Sequence, residues 1–332
     1  MTNITVLGAG AWGTAFGQVL ADAGNDVTMW AIEPAIVADI NENRRNSARL
    51  PIVDELPERM HATGDRAEAV RDAEIVVVAI AAQFARVALE EFRGLIPSDA
   101  VVVSLMKGIE RSTDKRMDEV VTEALELPLE RFAAVSGPNL SKEVAQRQPA
   151  AAVAASVSRE VAEKVAAAAT NAYFKMFVSS DVVGVEMCGS LKNVTALAVG
   201  MARGAGYGEN TAAMIQTRGL RELTVLGSAL GAQKETFFGM AGVGDLITTC
   251  GSPLSRNYTF GANLGKGMSV EEATAASNGV AEGVPTVSAV VALGEKYGVA
   301  TPLASAMQHV LEDGISCAQM LSELFADGDV DE

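Results

Sequence analysis

Along the first 180 residues, short apolar runs alternate with longer segments in which apolar residues recur at helical spacing. The runs predict buried parallel strands, whose side chains are apolar on both faces, and the spaced segments predict helices. The predicted strands are residues 3–7, 25–30, 74–80, 100–105, 131–135, 150–155 and 174–178. The predicted helices are residues 11–23, 34–43, 83–91, 113–125 and a segment ending at residue 170. This alternation predicts an α/β fold with a doubly wound sheet.

Two segments depart from the alternation. Residues 46–63 contain Pro51 and Pro57 and predict a long loop, which either covers a site or packs as an edge strand. From Val182 onward the strand-like runs stop and helical periodicity continues alone. We therefore predict a sheet domain at residues 1–180, an all-helical domain at 181–326, and an acidic, disordered tail at 327–332.

The composition of the 332-residue chain is that of a globular protein, with 49% hydrophobic and 20% charged residues. The net charge of −16 argues against nucleic acid or anionic membrane as a partner, because both repel an acidic protein. A site for an acidic metabolite must therefore be locally basic. The sequence shows no targeting segment and no apolar stretch with the length and flanks of a membrane span, which predicts a cytoplasmic protein without membrane insertion.

The cysteines and histidines exclude several kinds of site. Cys188, Cys250 and Cys317 have no CxxC spacing, which is typical of reduced thiols in the cytoplasm. His61 and His309 lie outside any carboxylate or cysteine cluster, so we expect both to be structural. The sequence therefore predicts neither a histidine-based triad nor a metal site.

A glycine-rich turn joins the first predicted strand to the first predicted helix, with the sequence Gly8-Ala9-Gly10-Ala11-Trp12-Gly13. In such a turn the first glycine permits the bend, the second lets the backbone approach a pyrophosphate, and the third lets the helix pack closely on the strand. The helix N-terminus directs N–H groups and its positive dipole end toward the phosphates. The turn therefore predicts dinucleotide binding. Glu33, which follows the second strand, is either the partner of the ribose hydroxyls or a first-turn helix acid beside Pro34.

Polar residues follow two later strands at their carboxyl ends, where open α/β sheets bind ligands. Lys107 follows the strand at 100–105, and Gly137 and Asn139 follow the next one. Lys107 is accordingly placed in the cofactor crevice, although a surface lysine is the alternative. Asn139 or Ser141 could instead cap the short helix that follows.

A lysine lies inside the most apolar helix predicted for the chain. Residues 183–201 are apolar almost all round and contain Glu186, Lys192 and Asn193. Burial lowers a lysine pKa, and a shift from about 10.4 to about 7–8 would make Lys192 a general acid/base. The alternative is that Lys192 reaches solvent or pairs with a carboxylate.

A second polar cluster follows in the helical domain. The segment from Gly239 to Cys250 is glycine-rich and apolar, and Asp245 is its one carboxylate. The next polar segment, 255–257, places a cation beside hydroxyl and amide groups near a predicted helix start, which suits a phosphate. The alternative is that Asp245 and Ser255 are helix caps and that Arg256 is a solvated charge.

Taken in order, eight blocks closely resemble the bacterial NAD(P)-dependent glycerol-3-phosphate dehydrogenases over nearly the whole chain. The blocks are Gly8 to Ala15, Lys107-Gly108-Ile109-Glu110, Ser136-Gly137-Pro138, Gly189-Ser190-Leu191-Lys192-Asn193, Thr217-Arg218-Gly219-Leu220, Gly239 to Leu246, Ser255-Arg256-Asn257 and Glu282-Gly283. The resemblance implies a Rossmann-type domain, a helical C-terminal domain, and interconversion of dihydroxyacetone phosphate and sn-glycerol 3-phosphate for phospholipid synthesis.

The resemblance also implies residue roles. Lys192 would be the proton donor and acceptor at the C2 oxygen, Asp245 would support it, and Lys107 would contact both substrate and cofactor. Further substrate contacts would be Gly137, Asn139, Asn193, Thr249, Ser255, Arg256 and Asn257. Cofactor contacts would be Gly8, Gly10, Ala11, Trp12, Gly13, Ser141, Arg256, Val280 and Glu282.

One departure from the family bears on the cofactor. Where relatives often carry basic residues, this chain has Ile32 and Glu33, which predicts a preference for NAD over NADP. Arg49, where relatives usually have an aromatic residue, could bind the 2′-phosphate instead. We expect a homodimer, the commonest oligomer. The alternatives are a dehydrogenase of similar build that acts on a β-hydroxy acid, and a non-catalytic nicotinamide-sensing module.

Overall fold

The computed structural model describes residues 1–277 and 281–326, so the predicted cofactor contact Val280 and the predicted tail 327–332 lie outside the described residues. The chain packs as two compact units. The first is formed by Met1–Lys107 and Arg116–Val185, and the second by Gly108–Lys115 together with the described residues from Glu186 onward.

The first unit contains one eight-stranded sheet, in the order β3-β2-β1-β4-β5-β6-β7-β8. The strands are β1 (Asn3–Leu7), β2 (Asp26–Trp30), β3 (Met60–Thr63), β4 (Ile75–Val78), β5 (Val101–Ser104), β6 (Phe132–Ser136), β7 (Ala150–Ala155) and β8 (Phe174–Ser179). All neighbouring strands are parallel except β6 and β7, which pair antiparallel. The predicted doubly wound sheet is therefore confirmed, with its last two strands reversed.

Helices cover this sheet. They are α1 (Ala11–Asp22), α2 (Pro34–Asn43), α3 (Arg66–Val70), α4 (Ala85–Glu90), α5 (Met117–Leu125), α6 (Ser141–Ala145) and α7 (Arg159–Ala169). Phe16 of α1 packs edge-on against Phe174 of β8, and both rings are buried. α1 thereby buries its apolar face against the sheet, which stabilises the helix more than its own propensity does.

Two predicted boundaries differ from the structure. The segment 46–63 ends in β3, which lies at the sheet edge and confirms the edge-strand alternative for its last residues. α5 begins at Met117 rather than at residue 113, because Glu110 and Lys115 form an isolated β-bridge. Asp114 within that bridged turn has a positive φ of 54°, which a helix cannot accommodate.

The C-terminal part of the chain, from Val182 onward, is helical in its described residues, whereas the segment Gly108–Lys115 of the second unit contains the β-bridge. The helices are α8 (Val182–Gly204), α9 (Glu209–Ala229), α10 (Lys234–Phe237), α11 (Asp245–Gly251), α12 (Arg256–Gly265), α13 (Val270–Ala275), α14 (Gly283–Tyr297), α15 (Pro302–Glu312) and α16 (Cys317–Ala326). A π-helical turn, Met240–Gly244, precedes α11. α8 is long and apolar enough to cross a membrane by composition, but 94% of its most apolar window is buried within the protein, as in a core helix.

Candidate active site

The glycine-rich turn of the first unit has the shape that a pyrophosphate requires. Gly8 has a φ of +113°, and a side chain there would approach the Ala79 carbonyl oxygen to 2.7 Å. A methyl group at Gly13 would overlap the carbonyl oxygen of Gly8, whereas one at Gly10 would meet open space. Gly10 is the N-cap of α1 and, among the described residues, no side chain caps it. The helix terminus therefore fits the diphosphate of NAD(P).

Asn46, which no pattern in the sequence marks, holds this turn from a second loop. Its Nδ2 donates hydrogen bonds to the carbonyl oxygen of Ala9 at 2.9 Å and to the hydroxyl of Thr14 at 2.8 Å. Its Oδ1 accepts from the backbone N–H of Arg49 at 3.2 Å. The buried Asn46 side chain thus couples the loop that carries Arg49 to the glycine-rich turn.

Glu33 and Arg49, the two residues associated with cofactor preference, form an ion pair. Arg49 Nη2 lies 2.9 Å from Glu33 Oε1, and both side chains are about half exposed. Glu33 is the residue before α2, but its side chain makes no capping hydrogen bond to the described backbone. The interpretation of Glu33 as a simple first-turn helix acid therefore does not describe what its carboxylate contacts.

Lys107 and Gly137 lie together after neighbouring strands β5 and β6. Lys107 Nζ donates to the carbonyl oxygen of Gly137 at 3.1 Å. Asn139 Nδ2 donates to the carbonyl oxygen of Ala151 at 3.0 Å, and its buried Oδ1 accepts no hydrogen bond from the described residues. The prediction that Asn139 or Ser141 caps α6 is wrong, because Leu140 holds the cap position and Ser141 is the first helical residue. Asn139 instead presents a hydrogen-bond acceptor at the ligand edge of the sheet.

Lys192 is buried in the second unit and has two polar partners. Its Nζ forms an ion pair with Asp245 Oδ1 and donates to Thr249 Oγ1 at 2.8 Å. Thr249 Oγ1 in turn donates to Asp245 Oδ1 at 3.2 Å. Lys192 is only 5% exposed and Asp245 1% exposed, so the charges stabilise each other out of water.

This arrangement shows what the Lys192 and Asp245 side chains contact. Lys192 does not reach solvent but pairs with a carboxylate, which is also the support that the family resemblance assigned to Asp245. Asp245 is the first residue of α11 rather than its cap. Burial raises the pKa of the neighbouring Cys250 thiol to about 12 even though Lys192 acts in the opposite direction, which disfavours the reactive thiolate.

The start of α12 contacts α8 beside Lys192. Asn257 Nδ2 donates to Asn193 Oδ1 at 2.8 Å, and Asn257 Oδ1 accepts from the backbone N–H of Gly283 at 2.9 Å. Ser255 caps α12, as its structural alternative predicted, because its side chain accepts from the backbone N–H of Tyr258. Arg256 is exposed in the first turn of α12. A cation and a helix N-terminus are thus combined there.

Three further predicted cofactor contacts lie at the starts of helices. Glu282 directly precedes α14, and Ala11 and Trp12 form the first turn of α1. Within residues 1–277 and 281–326, no group of three histidine, cysteine or carboxylate side chains could hold a metal ion. His309 forms an ion pair with Glu323 instead, at 3.0 Å.

Comparison with known proteins covers both units. The family model described as NAD-dependent glycerol-3-phosphate dehydrogenase N-terminus matches residues 3–162, and the corresponding C-terminus model matches 181–322. A Bifidobacterium longum subsp. infantis protein named glycerol-3-phosphate dehydrogenase (NAD(P)+) is 74% identical over 97% of each chain. A Streptomyces coelicolor protein of the same name is 47% identical over 97% of this chain and 95% of its own.

A solved structure agrees with these matches. The crystal structure of glycerol-3-phosphate dehydrogenase from Coxiella burnetii superposes with a TM-score of 0.92 at 32% identity, covering 98% of this chain and 99% of its own. The glycine-rich turn and the buried Lys192 cluster therefore occur within a fold and a sequence shared along the full length of these relatives. The chain belongs to the NAD-dependent glycerol-3-phosphate dehydrogenase family.

Proposed function

We propose that this chain interconverts dihydroxyacetone phosphate and sn-glycerol 3-phosphate, with Lys192 exchanging the proton at the C2 oxygen. The observation that carries the proposal is the buried cluster of Lys192, Asp245 and Thr249. The nicotinamide cofactor, when bound, supplies or accepts the hydride at C2. The glycine-rich turn of the first unit would hold its diphosphate.

Lys192 suits the role of proton donor because its protonated form is stabilised in place. Asp245 favours the ammonium and opposes the effect of burial, and the Thr249 hydroxyl restricts where Nζ points. In the reducing direction, C2 gains a C–H bond while Nζ gives a proton to the oxygen, which leaves a neutral amine. In the oxidising direction the neutral amine takes that proton back.

The phosphate of the substrate is assigned to the start of α12. The exposed Arg256 and the first-turn N–H groups provide positive charge on a chain whose net charge is −16. Asn193, Thr249, Ser255 and Asn257 complete the proposed substrate contacts in this unit. Lys107, Gly137 and Asn139 are the contacts proposed for the sheet unit, where Asn139 Oδ1 offers an acceptor to a hydroxyl group.

Cofactor preference is assigned to Glu33 and Arg49. Glu33 would accept hydrogen bonds from the ribose hydroxyls of NAD, and Arg49 would bind the 2′-phosphate of NADP. Because the two side chains pair with each other, a 2′-phosphate must compete with Glu33 for the guanidinium. We therefore expect both cofactors to be used, with NAD preferred.

Two alternatives explain less of the chain. A β-hydroxyacid dehydrogenase would use a lysine on a helix but gives no reason for the cation at the start of α12. A nicotinamide-sensing module would need the glycine-rich turn but no buried lysine paired with aspartate. We further propose a homodimeric cytoplasmic enzyme that supplies glycerol 3-phosphate for glycerophospholipid metabolism, without nucleic acid or inserted membrane as partners.

The test follows the oxidation of NADH and NADPH by the purified chain with dihydroxyacetone phosphate. Lys192→Ala should lower kcat by about 1,000-fold, within the range for a general acid, and should leave the Kd for NADH within about twofold. Lys296→Ala, which removes an exposed lysine of α14, is the matched control and should keep full activity. Retained turnover in Lys192→Ala would overturn the assignment of the proton donor.

A further inference from the structure

Four glycines interlock α8 and α12, the two helices that carry Lys192 and the proposed phosphate contacts. Gly200 and Gly204 lie one turn apart on α8, and Gly261 and Gly265 lie one turn apart on α12. A methyl group on Gly200 would overlap the carbonyl oxygen of Tyr258, and one on Gly204 would overlap that of Ala262. The two helix backbones are therefore in direct contact.

Glycines of each helix face carbonyl oxygens of the other, and these contacts fix how the two helices are aligned along their length. A methyl group on Gly261 would overlap the carbonyl oxygen of Leu197, and one on Gly265 would overlap that of Met201. Gly261 is 64 positions from Leu197 in the chain, and Gly265 is 64 positions from Met201. Asn193 and Asn257, which are joined by a hydrogen bond, have the same separation. Contacts that advance together along both helices mean that α8 and α12 run in the same direction. A slide of one helix along the other would move these carbonyl oxygens away from the glycines and against residues that carry side chains.

We propose that this glycine interlock is a positioning device that fixes the distance between the Lys192 ammonium and the phosphate-binding start of α12. The proposal rests on the proposed function, because it assumes that Lys192 serves C2 and that Arg256 serves the phosphate. The Asn193–Asn257 bond lies at the end of the interlock next to Lys192. The interlock selects phosphorylated ketones whose carbonyl and phosphate have the matching separation.

Gly261→Ala tests this separation directly, because the added methyl group must push α12 away from α8. We expect kcat/KM for dihydroxyacetone phosphate to fall by about 100-fold, the cost of a misplacement near 1 Å. The inhibition constant of inorganic phosphate should stay within about twofold, because phosphate alone contacts α12 and moves with it. A helix pair with a purely structural role would not separate these two readouts.

Gly294→Ala is the control for lost stability. A methyl group there would approach the Val299 carbonyl oxygen to 2.7 Å, away from both interlocked helices. We expect a lower Tm but unchanged kcat/KM for this variant. If Gly261→Ala does not fold, Gly265→Ala at the end of α12 should show the same separation of readouts, with a loss of about 10-fold.

Three outcomes would contradict the interlock as a positioning device. These are an unchanged kcat/KM, an equal weakening of phosphate and substrate, and an equal loss in Gly294→Ala. Absence of turnover by the wild-type chain would instead overturn the proposed function, and the interlock proposal with it.

Discussion

The hydroxyl of Thr249 accepts a hydrogen bond from the ammonium of Lys192, 57 positions earlier in the chain. Replacing Thr249 by Val keeps the shape of the side chain and removes the acceptor. Lys192 keeps its ion pair with Asp245 but loses one acceptor. A hydrogen bond to a charged group is worth about 1.5–3 kcal/mol, so we expect Thr249→Val to lower kcat by about tenfold or more. Steady-state kinetics with dihydroxyacetone phosphate measure this effect.

Thr249→Ser is the control, because it keeps the hydroxyl and removes only a methyl group. It should retain most of the activity. If the Ser and Val variants lose activity equally, packing at this position matters and the hydrogen bond to Lys192 does not.

The ion pair between Glu33 and Arg49 makes their effects on NADPH use interdependent. Glu33→Gln should raise kcat/KM for NADPH, because it removes a negative charge beside the proposed 2′-phosphate site and also releases Arg49. In an Arg49→Leu background the second benefit is absent, so the same substitution should give a smaller gain. A double-mutant cycle measures the difference.

Titration calorimetry with 2′,5′-ADP and 5′-AMP, which differ only in the 2′-phosphate, measures how each residue affects binding of that phosphate without turnover. Arg49→Leu should weaken 2′,5′-ADP binding and leave 5′-AMP nearly unchanged. Equal gains from Glu33→Gln in both backgrounds would show that the two residues act independently and that the ion pair does not control access to Arg49.

Replacing Asn46 should weaken the use of NADH and NADPH equally, whereas replacing Arg49 should weaken the use of NADPH alone. Asn46→Ala removes its hydrogen bonds to Ala9 and Thr14, which support the glycine-rich turn. Its bond from Arg49 involves only the backbone N–H, and the Arg49 guanidinium is held by Glu33. We expect KM to rise for NADH and NADPH by the same factor and stability to fall by about 1–3 kcal/mol. Asn43→Ala, on the exposed end of α2, is the control and should change neither. A selective loss of NADPH use in Asn46→Ala would contradict this role.

The pairing of His309 with Glu323 makes the attachment of α16 to α15 depend on pH. The hydrogen bond that the His309 imidazole donates to the Glu323 carboxylate raises the pKa of His309. The charges of Glu323, Asp313 and Glu312 raise it further, and burial acts in the opposite direction. A raised folded-state pKa means that the stabilisation is complete below the unfolded value of 6.5. It is lost as the pH rises through the folded-state pKa.

Thermal unfolding of the wild type and of His309→Gln between pH 5.5 and 9 measures this dependence. The wild type should have the higher Tm at the acidic end, and the two values should converge as the pH rises. A constant difference in Tm across the range would show that the imidazolium charge is not involved.

The strands were predictable because apolar runs report burial on both faces of a sheet. The direction of β7 was not, since a buried strand has the same composition whichever way it runs. The glycine-rich turn was visible in the sequence because each glycine has a local steric reason. The contact between the distant residues Lys192 and Asp245 was predictable only from the resemblance to the family, and the hydrogen bond from Lys192 to Thr249 was not predicted.

Two features of the site could not be predicted from any pattern in the neighbouring sequence. Asn46 is one polar residue in a loop without periodicity, and only its hydrogen bonds across the first unit reveal what it supports. Glu33 and Arg49 were each assigned to the cofactor, but their pairing depends on how the loop after α2 returns to the sheet. A linear pattern does not contain such distances.

α8 places a stretch of low polarity in the nascent chain before any later helix has been synthesised. Its most apolar window has a mean hydropathy of 1.3, which is high enough for a membrane-spanning helix by length and composition alone. A lysine near the middle of such a segment opposes transfer into the bilayer by about 2.5–3.5 kcal/mol. We therefore expect the charge of Lys192 to oppose bilayer insertion of this segment before the later helices enclose it.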